Sequence, residues 1–312
     1  MIEVEHLTKR YINTVAVDDI SFRVDKGEIL GFLGPNGAGK TTTMRILTCF
    51  IPPTLGRATV SGFDVLTQSL EVRKIIGYLP ENVPLYADMR VEEFLNYRAA
   101  LKRVPYKNKK KNIDEIIEQC WIQDVRKKII ANLSKGYRQR VALAECLIHK
   151  PEILILDEPT VGLDPNQIRE TRQLIKDMGK DHTIILCTHI LPEVEMICDR
   201  VIIINDGKIV AMDTPKNLTR KLAGEKILNL EFKNVPVNVK PILEKVPGVE
   251  KVIIEKSGLI KIEASENIDI REMIFKEIVK NNWTLLEMRT EKASLEDIFF
   301  KITIEDTLNK DI

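Results

Sequence analysis

The sequence predicts an α/β protein built on a mainly parallel sheet, with an antiparallel β flap, an inserted helical subdomain and a small C-terminal α+β domain. Three observations predict it. Apolar strand signals alternate with helix signals as far as about residue 222, the strands stop between "GYLP" at 77–80 and "KPEILILDEP" at 150–159, and the texture changes after Gly224. The expected division is residues 1–223, with the helical subdomain at about 82–149, and residues 224–312.

The strands come first in the argument. "EILGFL", "KIIGYL", "EILILD", "TIILC" and "RVIIIN" are short apolar runs separated by helical spacing, which suits a parallel sheet covered on both faces. "MIEVEHL" and "DDISFRVDKG" alternate better and read as an antiparallel flap over the first glycine turn. That turn, "GPNGAGKTTT" at 34–43, follows "GEILGFL" and leads into a helix with apolar residues at Met44, Leu47 and Phe50. Between the second and third sheet strands the chain is almost wholly helix-like, which marks an insertion. After Gly224 the order reads βαββαβ, closed by a last helix from "SLEDIFFKIT".

Composition limits the function classes. With 312 residues, 44% of them hydrophobic, the chain can bury a full core and form two domains. Forty-seven basic against 46 acidic residues leave a net charge of +1, so no global field draws it to nucleic acid or anionic lipid. The basic block "KNKKKN" at 107–112 reads as a solvated loop or helix start. No apolar run reaches the ~18 residues of a membrane span, and "MIEVEHLTKR" has no signal-peptide pattern. The five cysteines are scattered without a C-x-x-C pair, so they read as reduced fillers rather than disulfide or zinc ligands.

Chemistry begins at the glycine turn. Strand, glycine turn and helix supply the context for G-x-x-x-x-G-K-[ST], here Gly34, Gly39, Lys40 and Thr41. Backbone N–H groups and the positive end of a helix converge there, which favours a polyphosphate. Lys40 is expected to reach the β- and γ-phosphates, and the Thr41 hydroxyl to ligate Mg²⁺. "EILILDEP" ends a buried strand in Asp157 and Glu158 beside that turn. Asp157 suits the Mg²⁺ shell, and Glu158 suits polarising the water that attacks the γ-phosphate. We favour this over simple capping of the helix from Pro165. In "CTHILPE" a strand delivers His189 to the same edge, where an imidazole can bond phosphate and water. "NLSKGYRQRVALAECL" places Ser134 as N-cap of a helix whose apolar face includes Val141, Leu143 and Leu147. A small-residue helix start is a second anion site.

Taken together these pieces resemble the nucleotide-binding subunits of ATP-binding-cassette transporters, a P-loop NTPase cassette, over residues 1 to about 222. The family's elements fall in order at Tyr11, Gly34 to Thr41, Glu81, Leu133 to Tyr137, Asp157 with Glu158, Gly162 to Asp164, and His189. The resemblance implies ATP and Mg²⁺ as cofactors. It implies nucleotide contacts from Tyr11, Gly34, Pro35, Asn36, Gly37, Ala38, Gly39, Lys40, Thr41, Thr42, Glu81, Ser134, Gly136 and Asp164. Metal contacts would come from Thr41, Asp157 and Glu81, and catalysis from Glu158, His189 and Lys40. Partners would be a second copy packed head to tail, so that Ser134 and Gly136 of one face the phosphate held by Lys40 of the other, and a membrane permease. No nucleic acid is expected, and the subunit would sit on the cytoplasmic face of the membrane through that permease.

Two positions depart from the family pattern. Glu81 in "GYLPEN" replaces a glutamine, which keeps an oxygen for Mg²⁺ but donates no N–H and adds negative charge. The signature reads "LSKGY", with Lys135 either adding a cation towards the partner's phosphates or pointing to solvent. Both departures, and the appended C-terminal module, are similar to exporters with separate membrane chains, among them drug, polysaccharide and gliding-motility systems. A GTPase would need N-K-x-D, which neither "NKKK" nor "NKDI" supplies. The alternatives are a soluble ATPase of the same class and a weakly hydrolytic ATP-sensing module. The C-terminal domain either stabilises a dimer or senses a ligand.

Overall fold

The computed structural model describes residues 1–222, 226–255, 258–265 and 268–291. It divides into two compact units, Met1–Pro215 and Lys216–Ile312. The first unit runs β1 (Ile2–Tyr11), β2 (Thr14–Val24), β3 (Ile29–Leu33), α1 (Lys40–Leu47), β4 (Leu55–Val60), β5 (Phe63–Asp64), α2 (Ser69–Ile75) and β6 (Ile76–Leu79). It continues with α3 (Val91–Leu101), α4 (Tyr106–Gln119), α5 (Lys135–Leu147), β7 (Ile153–Asp157), α6 (Pro165–Met178), β8 (Thr183–Thr188), α7 (Leu191–Ile197), β9 (Arg200–Asn205) and β10 (Lys208–Asp213). Helix α8 (Pro215–Leu222) begins at the boundary.

Strand order in the larger sheet is β10-β9-β3-β8-β7-β6. All pairings are parallel except β10 against β9. Every residue of β3, β7 and β8 is buried, which is what apolar runs become when both faces of a sheet are covered. The smaller sheet, β2-β1-β4-β5, is antiparallel and shares one core with the first. Phe22 of β2 meets Phe32 of β3 there, with ring centroids 5.6 Å apart. β4, β5 and β10 add to the expected strands, and "KIIGYL" begins in the last turn of α2 rather than in β6.

Register fixes the site. Leu33 lies opposite Thr188, Cys187 opposite Asp157, and Leu156 opposite Leu79. The carboxyl ends of β3, β8, β7 and β6 therefore open at one edge, the place where open parallel sheets take ligands. One expectation fails nearby: Phe50 is not on the buried face of α1. The helix ends at Leu47, Cys49 takes a left-handed φ of 59°, and Phe50 is 73% exposed. Pro52 and Pro53 follow and bar further helix.

The insertion between β6 and β7 is helical, as its texture predicts. Glu93 Oε2 accepts from Arg90 N at 2.9 Å to cap α3. Arg98 of α3 grips Glu145 of α5 through Nε at 2.8 Å and Nη2 at 2.6 Å. "KNKKKN" lies within α4. Cys120, Cys146, Cys187 and Cys198 are buried and reduced, and Cys49 is half-buried.

The second unit holds β11 (Lys226–Phe232), α9 (Val239–Leu243), β12 (Val249–Ile254), β13 (Ile260–Ala264), α10 (Arg271–Lys280) and β14 (Leu285–Glu291), the expected βαββαβ order. Its antiparallel sheet runs β12-β13-β11-β14. Ile260, Ile262 and Ala264 alternate inwards and pack with Ile274 and Ile278 of α10. The helix expected from "SLEDIFFKIT" lies outside the described residues.

Candidate functional site

Backbone geometry builds the first half of the site. Gly39 precedes α1 at φ 106°, and a Cβ there would lie 2.4 Å from Ala16 O. At Gly34 a Cβ would meet Ile204 O at the same 2.4 Å. Both positions exclude a side chain, so the loop closes tightly over the end of β3. The first intrahelical bond, Thr43 N to Gly39 O, is 2.9 Å. The N–H groups of Lys40, Thr41 and Thr42 come before it and are left for an anion. Gly39→Ala is expected to lower unfolding free energy by about 1–3 kcal/mol from the left-handed strain alone. Urea denaturation measures it.

Side chains supply the second half. Lys40 is 6% exposed and donates to Gly34 O at 2.7 Å and to Pro35 O at 3.1 Å. Its Nζ is also 3.7 Å from Glu158 Oε1. Glu158 follows β7 with a left-handed φ of 52°, and its N–H donates to Cys187 O at 2.9 Å. His189 Nδ1 lies 2.9 Å from the same Oε1. A carboxylate only accepts, so Nδ1 carries the proton of this bond and Nε2 points away from Glu158. Glu158 Oε2 is buried without a partner.

Asp157 is fully buried, and neither of its carboxylate oxygens is hydrogen bonded. Burial pushes its pKa above the usual 3.8. Glu158 and Glu81 push the same way, while the nearby Thr41 hydroxyl and Lys40 pull against them. An acid whose folded pKa is raised adds stability that is full below the unfolded value and lost as pH rises through the folded one. Above the folded value an ionised Asp157 thus weakens the empty protein. Asp157→Asn is expected to melt higher than the unsubstituted chain near pH 7, with the gap closing towards about pH 4. Thermal scans across that window read the result.

These orphaned oxygens test whether a divalent cation suits the site. Among the described residues no three His, Cys, Asp or Glu side chains could hold a metal by themselves. Asp157, the Thr41 hydroxyl and Glu81 are hard oxygen donors, too few for a closed cage, which fits Mg²⁺ completed by water and phosphate.

A cavity of about 340 Å³ gathers Pro35, Asn36, Gly37, Gly39, Lys40, Thr41, Thr42, Glu81, Glu158 and His189. Gly34 and Ala38 belong to the same loop, and the buried Asp157 immediately precedes Glu158. Tyr11, Ser134, Gly136 and Asp164 do not line it. Tyr11 ends β1, half exposed, with Lys9 Nζ 5.3 Å from its ring centroid. Ser134 caps α5 by accepting from Tyr137 N at 3.4 Å, and Gly136 is buried against Gln167. Asp164 caps α6, accepting from Asn166 N and Gln167 N at 3.0 Å each. The helix from Pro165 therefore has its own cap, which frees Asp157 and Glu158 from that duty. Lys135 is exposed, and its ammonium lies over Gly162 of its own chain, where an added Cβ would meet Nζ at 2.0 Å.

Sequence reasoning passed over Val161, which lines the cavity, and Glu193, which is wholly buried behind it. The signal for Glu193 was only an acid in the first turn of α7, ordinarily an exposed helix-dipole partner.

The comparisons with known proteins agree with this geometry. A family model described as ABC transporter matches residues 17–161. The linearmycin resistance ATP-binding protein LnrL of Bacillus subtilis is 31% identical over 307 residues, spanning 97% of this chain and 98% of its own length. The bacitracin transport ATP-binding protein BcrA of Bacillus licheniformis is 35% identical over 308 residues, 97% of each chain. Among solved structures, cbiO1 from Clostridium perfringens, part of an ABC transporter complex, matches with a TM-score of 0.65 at 29% identity. That match covers 71% of this chain and 93% of the other. With matches along nearly its full length and a phosphate loop at the parallel strand ends, the chain belongs to the ABC transporter family, as one of its ATP-binding proteins.

Proposed function

We propose that this subunit hydrolyses Mg·ATP between two copies packed head to tail and that the cycle drives an exporter. The observation that carries the reading is Glu158. One of its oxygens is occupied by His189 and faces Lys40, and the other is buried and unpartnered, free to take a proton from water. When bound, Mg²⁺ would neutralise phosphate charge, held by Thr41, Asp157 and Glu81. Lys40 would exchange Glu158 and the loop carbonyls for phosphate oxygens, with N–H groups of α1 beside it. Residues Ser134, Gly136 and Asp164, absent from the cavity wall, are then supplied by the second copy, and Tyr11 serves the base.

Docking to a permease has its own support. A cavity of about 520 Å³ is lined by the exposed Phe50, Leu70 and Leu101 together with Arg73, Lys102 and Arg103. A neighbouring one of about 370 Å³ includes Pro80 and Asn82, which flank Glu81. Apolar anchors there would couple a membrane chain to the nucleotide site through Glu81. Among the described residues no helix is long and apolar enough to cross a membrane; in this reading the subunit sits on the cytoplasmic face through the separate permease. Export is favoured by the relatives' names, one for bacitracin transport and one for linearmycin resistance.

Phosphate release from the purified chain tests the reading. Magnesium-dependent turnover, faster with the permease, is the expected result. ATP binding without turnover in both preparations would favour the sensing alternative.

A further inference from the structure

Glu193 is a buried carboxylate that the nucleotide cavity does not use. It sits in the first turn of α7 and is 0% exposed. Its Oε1 accepts a hydrogen bond from the Thr160 hydroxyl and lies 3.5 Å from Arg172 Nη2. Its Oε2 accepts from Thr188 Oγ1 at 2.9 Å. Thr188 Oγ1 in turn accepts from Ile190 N at 3.0 Å.

The positions of these hydroxyls are informative. Thr160 follows Glu158 by two residues, Thr188 immediately precedes His189, and the Ile190 bond fixes the other flank of the histidine. A buried carboxylate costs desolvation, and a well-packed apolar side chain in its place is often as stable or more so. Glu193 binds the last residue of β8 and the turn after β7, segments joined otherwise by the Glu158 N–H to Cys187 O bond, and these segments carry the two ends of the Glu158–His189 hydrogen bond. We propose that Glu193 is a positioning residue that holds His189 against Glu158 by tying Thr188 and Thr160 together from behind. This rests on the hydrolytic reading above, and it acts through the Glu158–His189 pair without touching nucleotide.

Glu193→Gln keeps the volume, but its amide nitrogen can only donate where one Thr hydroxyl now donates, so that hydroxyl must turn its proton away and the charge that strengthens both bonds and pairs with Arg172 is lost. In the full chain, kcat for ATP is expected to fall about tenfold or more while KM stays within about threefold, because ground-state binding is untouched. Adding Glu193→Gln to His189→Ala is expected to cost nothing further, since both changes disable one pair. Thr160→Val, which removes the other hydroxyl on Glu193 and leaves the Thr188–Ile190 bond at the start of α7 in place, is expected to give the same kcat-only loss and covers the case in which Glu193→Gln fails to fold. Unchanged kcat in the folded variants, or losses that multiply with His189→Ala, would overturn the role. A wild-type chain with no turnover at all removes the hydrolytic reading and this role together. A wild-type chain that turns over beside an equally fast Glu193→Gln removes only the role.

Discussion

Glu158→Gln is expected to lower ATP turnover by about 10²–10⁴-fold, the range for losing a general base, while nucleotide affinity holds or rises. The amide keeps the side-chain volume and still accepts from His189 Nδ1, so the loop after β7 stays in place. What disappears is the unpartnered Oε2 to which the proposed mechanism assigns the proton. The negative charge 3.7 Å from Lys40 disappears as well. Lys40 is then released towards phosphate, which is why binding does not suffer. Phosphate release and titration with a fluorescent ATP analogue separate the two quantities. Turnover at the unsubstituted rate would remove Glu158 as base.

Lys40→Ala is expected to weaken ATP binding about 10–100-fold, the worth of one or two hydrogen bonds to a charged group. It also strands the carboxylate of Glu158, 7% exposed, with only His189 beside it. Breaking one side of a buried pair costs stability because a charge is left unpaired. The double variant Lys40→Ala with Glu158→Gln is therefore expected to recover melting temperature without recovering affinity. Calorimetric titration and melting of the three proteins check both halves. Recovery of affinity in the double variant would mean that Lys40 acts on Glu158 rather than on phosphate.

Much of this architecture is legible in the residue string because the signals are local. A run of four apolar residues such as that at 153–156 has no polar face to show solvent, so it must be a buried strand. The glycine turn with Lys40 and Thr41 carries its chemistry within ten residues. Position 50 was misjudged because the end of α1 is set by a left-handed Cys49 and the following prolines, which override apolar spacing. Lys135 was left open for a different reason. Its contact with Gly162 depends on how the start of α5 meets the turn before α6, a tertiary relation between residues 27 positions apart. Glu193 was invisible as a site because a first-turn acid looks the same whether it faces water or closes a buried network. In the C-terminal unit the strand and helix order can be read, and among the described residues its inward faces pack one core.

The composite site is tested most directly by complementation in sedimentation velocity, with Glu158→Gln as the parent chain and saturating Mg·ATP. One preparation adds Lys40→Ala, and the other adds Ser134→Asp, which still caps α5 but turns a negative charge on the partner's phosphate. Each alone lacks an intact site and is expected to stay monomeric. Mixed, they rebuild one site from Lys40 of one chain and Ser134 of the other, and a dimer is expected to appear while the parent dimerises fully. A parent that remains monomeric, or a mixture that does so beside a dimeric parent, would contradict the head-to-tail arrangement.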